Sequence, residues 1–187
     1  MKKFGFHTGN LILAIGFCLI SSSSYSQNIK LSRQDKKEAK RAENYAFFQL
    51  LDTLLESKAF VLEADFLEDQ YGNRVNVTSV LNFIRVDSEK AVLQTGSNIY
   101  LGYNGVGGIT AEGNINNWEV NKNVKNLSYF LRFSVNTSIG FYDVSMFVTA
   151  DNYARATITG LTPGQLIYTG HLKTLFNSSV FKGHNTI

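Results

Sequence analysis

The chain has 187 residues, with 18 lysines and arginines against 15 aspartates and glutamates and a formal net charge of +3. A balance this close to neutral excludes the strongly basic class of nucleic-acid binders, and a single cysteine excludes a disulfide framework. The length suits one domain with a core large enough to stabilise itself.

Residues 1–26 read as an export signal. Lys2 and Lys3 make a positive start, Leu11–Ile20 is an apolar run too short for a membrane span, and Ser24-Tyr25-Ser26 sets small residues before a cleavage point between Ser26 and Gln27. Cys18 follows Phe17 inside the apolar run, whereas lipoprotein processing wants a small residue at that place, so the pattern argues against a lipid anchor. The mature protein is expected to be periplasmic or otherwise exported, with no cysteine and no transmembrane span. Lys2 and Lys3 take two of the 18 basic residues with them, which leaves 16 against 15 acids.

Residues 27–57 are expected to form one amphipathic helix with a charged first half. Ser32-x-x-Asp35 is a capping-box variant, and Phe47, Leu50, Leu51, Leu54 and Leu55 recur at helical spacing, with Ala39, Ala42 and Ala46 prolonging the stripe weakly. The first half carries Lys30, Arg33, Lys36, Lys37, Lys40 and Arg41 against Asp35, Glu38 and Glu43. From Lys58 the period changes to two. Phe60, Leu62, Ala64 and Phe66 alternate with Val61, Glu63, Asp65 and Leu67; Val80–Val86, Ala91–Thr95, Tyr129–Val135, Phe141–Ala150, Ala154–Thr159 and Leu166–Leu172 follow the same rule. Pro163-Gly164 suits the centre of a type II turn. Short turns and the absence of helical patterns between these runs imply antiparallel neighbours. The fold class is therefore mainly β: an antiparallel β-sandwich or partly closed barrel over residues 58–178, with one N-terminal helix and a flexible tail at 179–187.

The stretch between Thr95 and Leu127 is rich in glycine and asparagine and is read as a long loop. Its block Asn104–Gly113 (NGVGGITAEG), the preceding Ala91–Ser97 (AVLQTGS), the single N-terminal helix and the last hairpin ending in Tyr168–Leu172 (YTGHL) resemble the secreted Bacteroidetes family of unknown function numbered 4251. The resemblance spans roughly Ala39 to Phe181. It implies an exported or envelope-associated domain and brings no catalytic residues with it.

No cofactor motif is present: the glycines are followed neither by a Gly-Lys-Ser/Thr end nor by a helix. Tyr100, Tyr103, Asn104 and Trp118 in the loop offer aromatic faces and amides for a sugar or a small amphipathic ligand. Glu63 and Asp65 share a strand face and raise a hydrolase reading with paired carboxylates. Ser134 or Ser145 with His171 is a weaker nucleophile–base combination, and His171 and His184 do not make a metal set. Arg85, Arg132 and Arg155 are expected to pair with Glu63, Asp65 or Asp143. The functional expectation is a non-catalytic envelope domain that binds a glycan, lipid or protein through the open end or loop edge of its β body. The alternatives are an assembly factor acting through the Ser32–Asn44 half of the helix and the carboxylate hydrolase.

Overall fold

The structure, a computed structural model, describes residues 32–99, 102–160 and 164–186. The expected export signal with Ser26 and Gln27, the loop residue Tyr100 and the turn residue Pro163 lie outside the described residues.

Helix α1 (Arg33–Glu56) begins where a hydroxyl and a carboxylate satisfy its first amides. Ser32 Oγ accepts from the Asp35 amide at 3.1 Å, and Asp35 Oδ2 accepts from the Ser32 amide at 3.0 Å. Every residue from Ser32 to Glu43 is exposed, alanines included. Burial begins at Phe48 and continues through Leu51, Leu54 and Leu55. Leu50, expected on this stripe, is 41% exposed, because the buried face turns through Phe48, Leu51 and Leu55. Burying four such side chains is worth roughly 6–12 kcal/mol before entropy is counted, which is as large as the stability of a typical domain. The second half of the helix is therefore part of the core, and the first half is not.

Nine strands follow: β1 (Ala59–Asp69), β2 (Arg74–Asn76), β3 (Phe83–Asp87), β4 (Lys90–Gln94), β5 (Thr110–Asn123), β6 (Ser128–Thr137), β7 (Gly140–Thr149), β8 (Ala154–Thr159) and β9 (Gln165–Thr174). All pair antiparallel in the order β2-β1-β3-β4-β5-β6-β7-β8-β9, and β9 returns to pair with β1. Eight strands thus close into a barrel, with β2 a short flap that continues the β3 side of β1. Closure removes the sandwich alternative.

The seam between β1 and β9 sets the geometry. Ala64 pairs with Gly170 and Phe66 with Thr169, so Asp65 is an extra residue, a β-bulge. Phe60, Leu62 and Ala64 belong to the core; past the bulge Leu67 packs against it, and Phe66 instead lies under the Arg74 guanidinium, 3.7 Å from the ring centroid. The simple alternation read through Phe66 fails at this residue. Gly170 is needed because a Cβ there would overlap the Glu63 carbonyl oxygen across the seam.

The lumen is filled by Phe60, Leu62, Ile84, Leu131, Met146 and Tyr168 with their neighbours, and α1 closes the end at which β1 begins. Phe48 stacks obliquely on Tyr129, with centroids 4.9 Å apart. Asp52 fastens the helix: its Oδ1 accepts from the Tyr129 hydroxyl and its Oδ2 from Lys122 Nζ, both at 2.5 Å. An eight-stranded barrel is just narrow enough for side chains to fill.

Three other expectations change. β5 occupies ground read as loop. The strand expected from Val80 starts only at Phe83, because Thr78–Asn82 form a turn in which the Leu81 and Asn82 amides bond the Thr78 carbonyl. Residues 179–186, part of the segment expected as a flexible tail at 179–187, lie against the outer side of β1, β4 and β5: the amides of Phe181, His184 and Thr186 donate to the carbonyls of Val80, Asn104 and Thr110. Leu175 and Val180 cover the outward-facing apolar trio Val61, Phe83 and Val92. A pattern search treats a segment without periodicity as unpaired, but this one is held by partners far away in sequence.

Gly170→Ala should lower stability by about 3 kcal/mol or more, or prevent folding, since backbone must move to admit the methyl group; urea denaturation measures it. Asp52 is subject to burial, which would raise its pKa, but the hydrogen bonds from Lys122 and Tyr129 prevail and hold it below the ordinary 3.8. A depressed carboxylate stabilises the fold above its unfolded value and loses that contribution as pH falls through the folded value. Asp52→Asn should therefore lower the melting temperature at neutral pH, and the difference from wild type should shrink as pH drops below 3.8. A gap that stays constant with pH would mean that packing, not charge, holds the helix.

Candidate functional site

Of the loop residues singled out in the sequence, Tyr103, Asn104 and Trp118 are placed apart and form no common face. Trp118 lies on β5, where the ladder with β6 shifts between Asn116 and Glu119 and Asn117 adopts a left-handed φ of 54°. This bulge turns the indole toward the barrel end, with centroids 6.4 Å from Phe60 and 5.2 Å from Phe133. Lys58 Nζ stands 5.5 Å from the indole centroid. Trp118 is half-buried and packs against the core. Tyr103 is 89% exposed, whereas Asn104 is fully buried.

Asn104 belongs to a buried polar clasp. Its Nδ2 donates to the Thr95 carbonyl and to Thr110 Oγ1, both at 3.0 Å, and its Oδ1 accepts from the amides of Val106 and Gly108. Thr110 Oγ1 donates to Gln94 Oε1 at 2.9 Å, which also accepts from the Gly183 amide at 2.8 Å. Gln94 Nε2 donates to the carbonyls of Leu81 and Phe181. Every polar atom of these side chains has a partner, so the clasp ties loop to tail and leaves nothing turned toward a ligand. Outside it, Glu112 accepts from Lys182 and Asn185, which hold its carboxyl below the usual carboxylate range.

The reactive-looking groups are equally engaged. Glu63 is buried beneath the tail, 2.7 Å from Lys173 Nζ and 2.8 Å from Ser178 Oγ. Asp65, the bulge residue, meets His171 Nδ1 at 2.9 Å. The two acids therefore have separate partners, and Glu63 is sealed from solvent. Ser145 aligns with Thr157 and, one strand on, with Ile167; His171 lies four residues further along β9. That separation is roughly 16 Å along the sheet, too far for proton transfer. Ser134 Oγ instead donates to Asp143 at 2.7 Å. Arg85 pairs with Asp87 and Arg155 with Glu68, not with the acids expected from the sequence. Arg132 lies 5.3 Å from the Phe130 ring. Among the described residues no group of three or more His, Cys, Asp and Glu is placed to hold a metal ion, and no helix is long and apolar enough to cross a membrane.

The outer wall of β5–β8 is open. The tail covers the opposite side of the barrel, while here a cleft of about 390 Å³ is lined by outward side chains including Glu119, Arg132, Ser134, Asp143, Ser145 and Thr157. The sequence offers Ser134 and Ser145 as nucleophile candidates and Arg132 and Asp143 as ion-pair candidates, but does not group them into one surface. The signal that would have found them is the grouping of hydroxyls, one guanidinium and two carboxylates on adjacent strands, which emerges only once β5 is recognised.

Comparison with known proteins fits this barrel. The model of the domain of unknown function DUF4251 matches residues 39–172. The chain belongs to the DUF4251 family. A crystal structure of a DUF4251 family protein from Bacteroides eggerthii is similar, with a TM-score of 0.63 and 26% identity over 75% of this chain and 95% of that one. No curated protein matches. The span matched by the family runs from α1 through Leu172, so it takes in β1 to β8, most of β9 and both sequence blocks of the clasp.

The DUF4251 chain has one tryptophan, which makes it a reporter. Trp118→Ala should cost about 3 kcal/mol through the cavity left between Phe60 and Phe133, whereas Tyr103→Ala should stay within about 0.5 kcal/mol of wild type in denaturant titration. Equal costs would return Trp118 to the loop surface.

Proposed function

We propose that this DUF4251 domain is an exported, non-catalytic binding module of the cell envelope that engages its partner through the outer wall of β5–β8. Export rests on the pattern of residues 1–26, with localisation in the periplasm or beyond. The single observation that carries the binding reading is the contrast between the two sides of the wall. The lumen is filled with side chains and plugged by α1, which leaves no place for a carried ligand, while the β5–β8 exterior keeps an open, polar cleft. The hydrolase reading loses its basis, because a water poised between Glu63 and Asp65 would have to displace Lys173 and Ser178.

One observation favours a second reading, an assembly factor. The Ser32–Glu43 half of α1 is exposed on all sides and carries five basic side chains against three acids. A solvated helix half of this kind suits an acidic protein surface.

Co-pelleting of the periplasmic protein with isolated envelope fractions separates the two. Ser145→Trp, which fills the cleft, should reduce association about tenfold or more, while deletion of residues 27–44 should leave it nearly unchanged. The converse pattern would transfer function to the helix. Indifference to both changes would remove both surfaces.

A further inference from the structure

The cleft has a layout that narrows the ligand class, an inference that rests on the wall reading above. Cross-strand register arranges its side chains in rows. Glu119, Arg132, Ser145 and Thr157 lie opposite one another on β5, β6, β7 and β8. Ser134, Asp143 and Thr159 form the next row. Beyond the first row, Phe130 faces Phe147, 37% and 43% exposed; beyond the second, Asn136 faces Phe141, 65% exposed. Six residues separate Phe141 from Phe147 on one strand face, so the aromatic ends are about 20 Å apart.

This pattern inverts the anatomy of a protein–protein interface, whose centre is apolar and whose rim is polar. Here hydroxyls, carboxylates and a guanidinium occupy the middle and exposed rings stand at the ends, Phe130 with the Arg132 guanidinium 5.3 Å from its centroid. Two carboxylates against one guanidinium leave the centre slightly negative, which disfavours nucleic acid and other polyanions. No apolar groove runs through it for an acyl chain. A neutral oligosaccharide has the complementary layout: hydroxyls that both donate and accept along its length, and apolar ring faces that lie flat on aromatics. Arg132 adds planar donors in the middle of the cleft, free of any ion pair among the described residues. Ser134 occupies one Asp143 oxygen and so fixes that carboxylate as an acceptor for sugar hydroxyls.

We infer that the β5–β8 wall binds an uncharged oligosaccharide strand, laid between Phe141 and the Phe130–Phe147 pair and hydrogen-bonded through Arg132 and Asp143.

The test uses the periplasmic full chain on an array of neutral glycans with polyuronates as the anionic control, followed by amide chemical-shift titration of the hits. Binding to neutral glycans is expected, with shifts at Ser145 and Thr157. Phe147→Ala should weaken it about tenfold and Arg132→Ala at least as much, each with an unchanged melting temperature because both side chains are exposed. Asp143→Asn, which keeps the Ser134 contact and loses the charge, should weaken neutral binding while leaving the fold intact. Absence of neutral-glycan binding, preference for polyuronates, or binding that Ser145→Trp leaves intact overturns the inference. If neutral glycans fail but Ser145→Trp still abolishes envelope association, the ligand class falls and the wall reading stands; if that association is also untouched by Ser145→Trp, the wall reading falls with it.

Discussion

The closure of β9 onto β1 governs the rest of the molecule. Nine register pairs join the two strands, interrupted only at Asp65, and Gly170 admits the close approach that the bulge requires. A sheet of this size with free edges would invite pairing with other chains, so closure is also protection from aggregation. Once the barrel is shut, each side chain is assigned to lumen or exterior by parity, and the two bulges, at Asp65 and at Asn117–Trp118, decide where that parity reverses. The packing of Trp118 against the core and the position of Phe66 outside it both follow from these reversals.

A closed eight-stranded barrel leaves one decision to its sequence, namely whether to line a cavity or fill one. Large residues from β1, β6, β7 and β9 meet here in the lumen, and small ones such as Ala64, Ala111 and Ala156 relieve crowding between them. The helix then plugs the end. The Asp52 clamp is electrostatically economical: the carboxylate is partly screened from water, but two donors hold it charged. Filling the lumen moves any recognition to the exterior, where the tail already takes one side.

Much of this was legible from residue order. The helix cap at Ser32, the strand run in β1 up to Ala64 and the alternation of β6, β7 and β8 follow two elementary periods and appear where those periods place them. β5 was illegible for a physical reason. Its inward residues are Ala111, Gly113 and Ile115 before the bulge and Trp118 after it, so no single alternation spans the strand, and its outward residues are asparagines and charges typical of loops. Phe47 stands on the expected stripe in place of Phe48 because adjacent apolar residues on a helix differ by 100° of rotation, and only the partner, Tyr129, chooses between them. The tail was lost because its partners, such as Gln94 and Thr110, lie some 75 to 90 residues away.

The same loss explains why the loop looked like a ligand site. Asparagine, glycine and threonine close together are what a polar ligand needs, and they are equally what a buried backbone needs when it crosses itself without a regular ladder. The decisive quantity is the number of unused donors and acceptors. In the clasp there are none: Asn104 spends its amide on Thr95, Thr110, Val106 and Gly108, and Gln94 spends its own on Leu81, Phe181, Thr110 and Gly183. The sequence blocks Ala91–Ser97 and Asn104–Gly113, which carry the resemblance to the family, thus meet each other and the tail in space. Their residues are constrained by the work of holding loop and tail against the barrel, and a family signature built from them describes architecture. Recognition chemistry has to be sought where side chains have hydrogen-bonding capacity left over, and in this barrel that is the uncovered wall around Arg132 and Asp143.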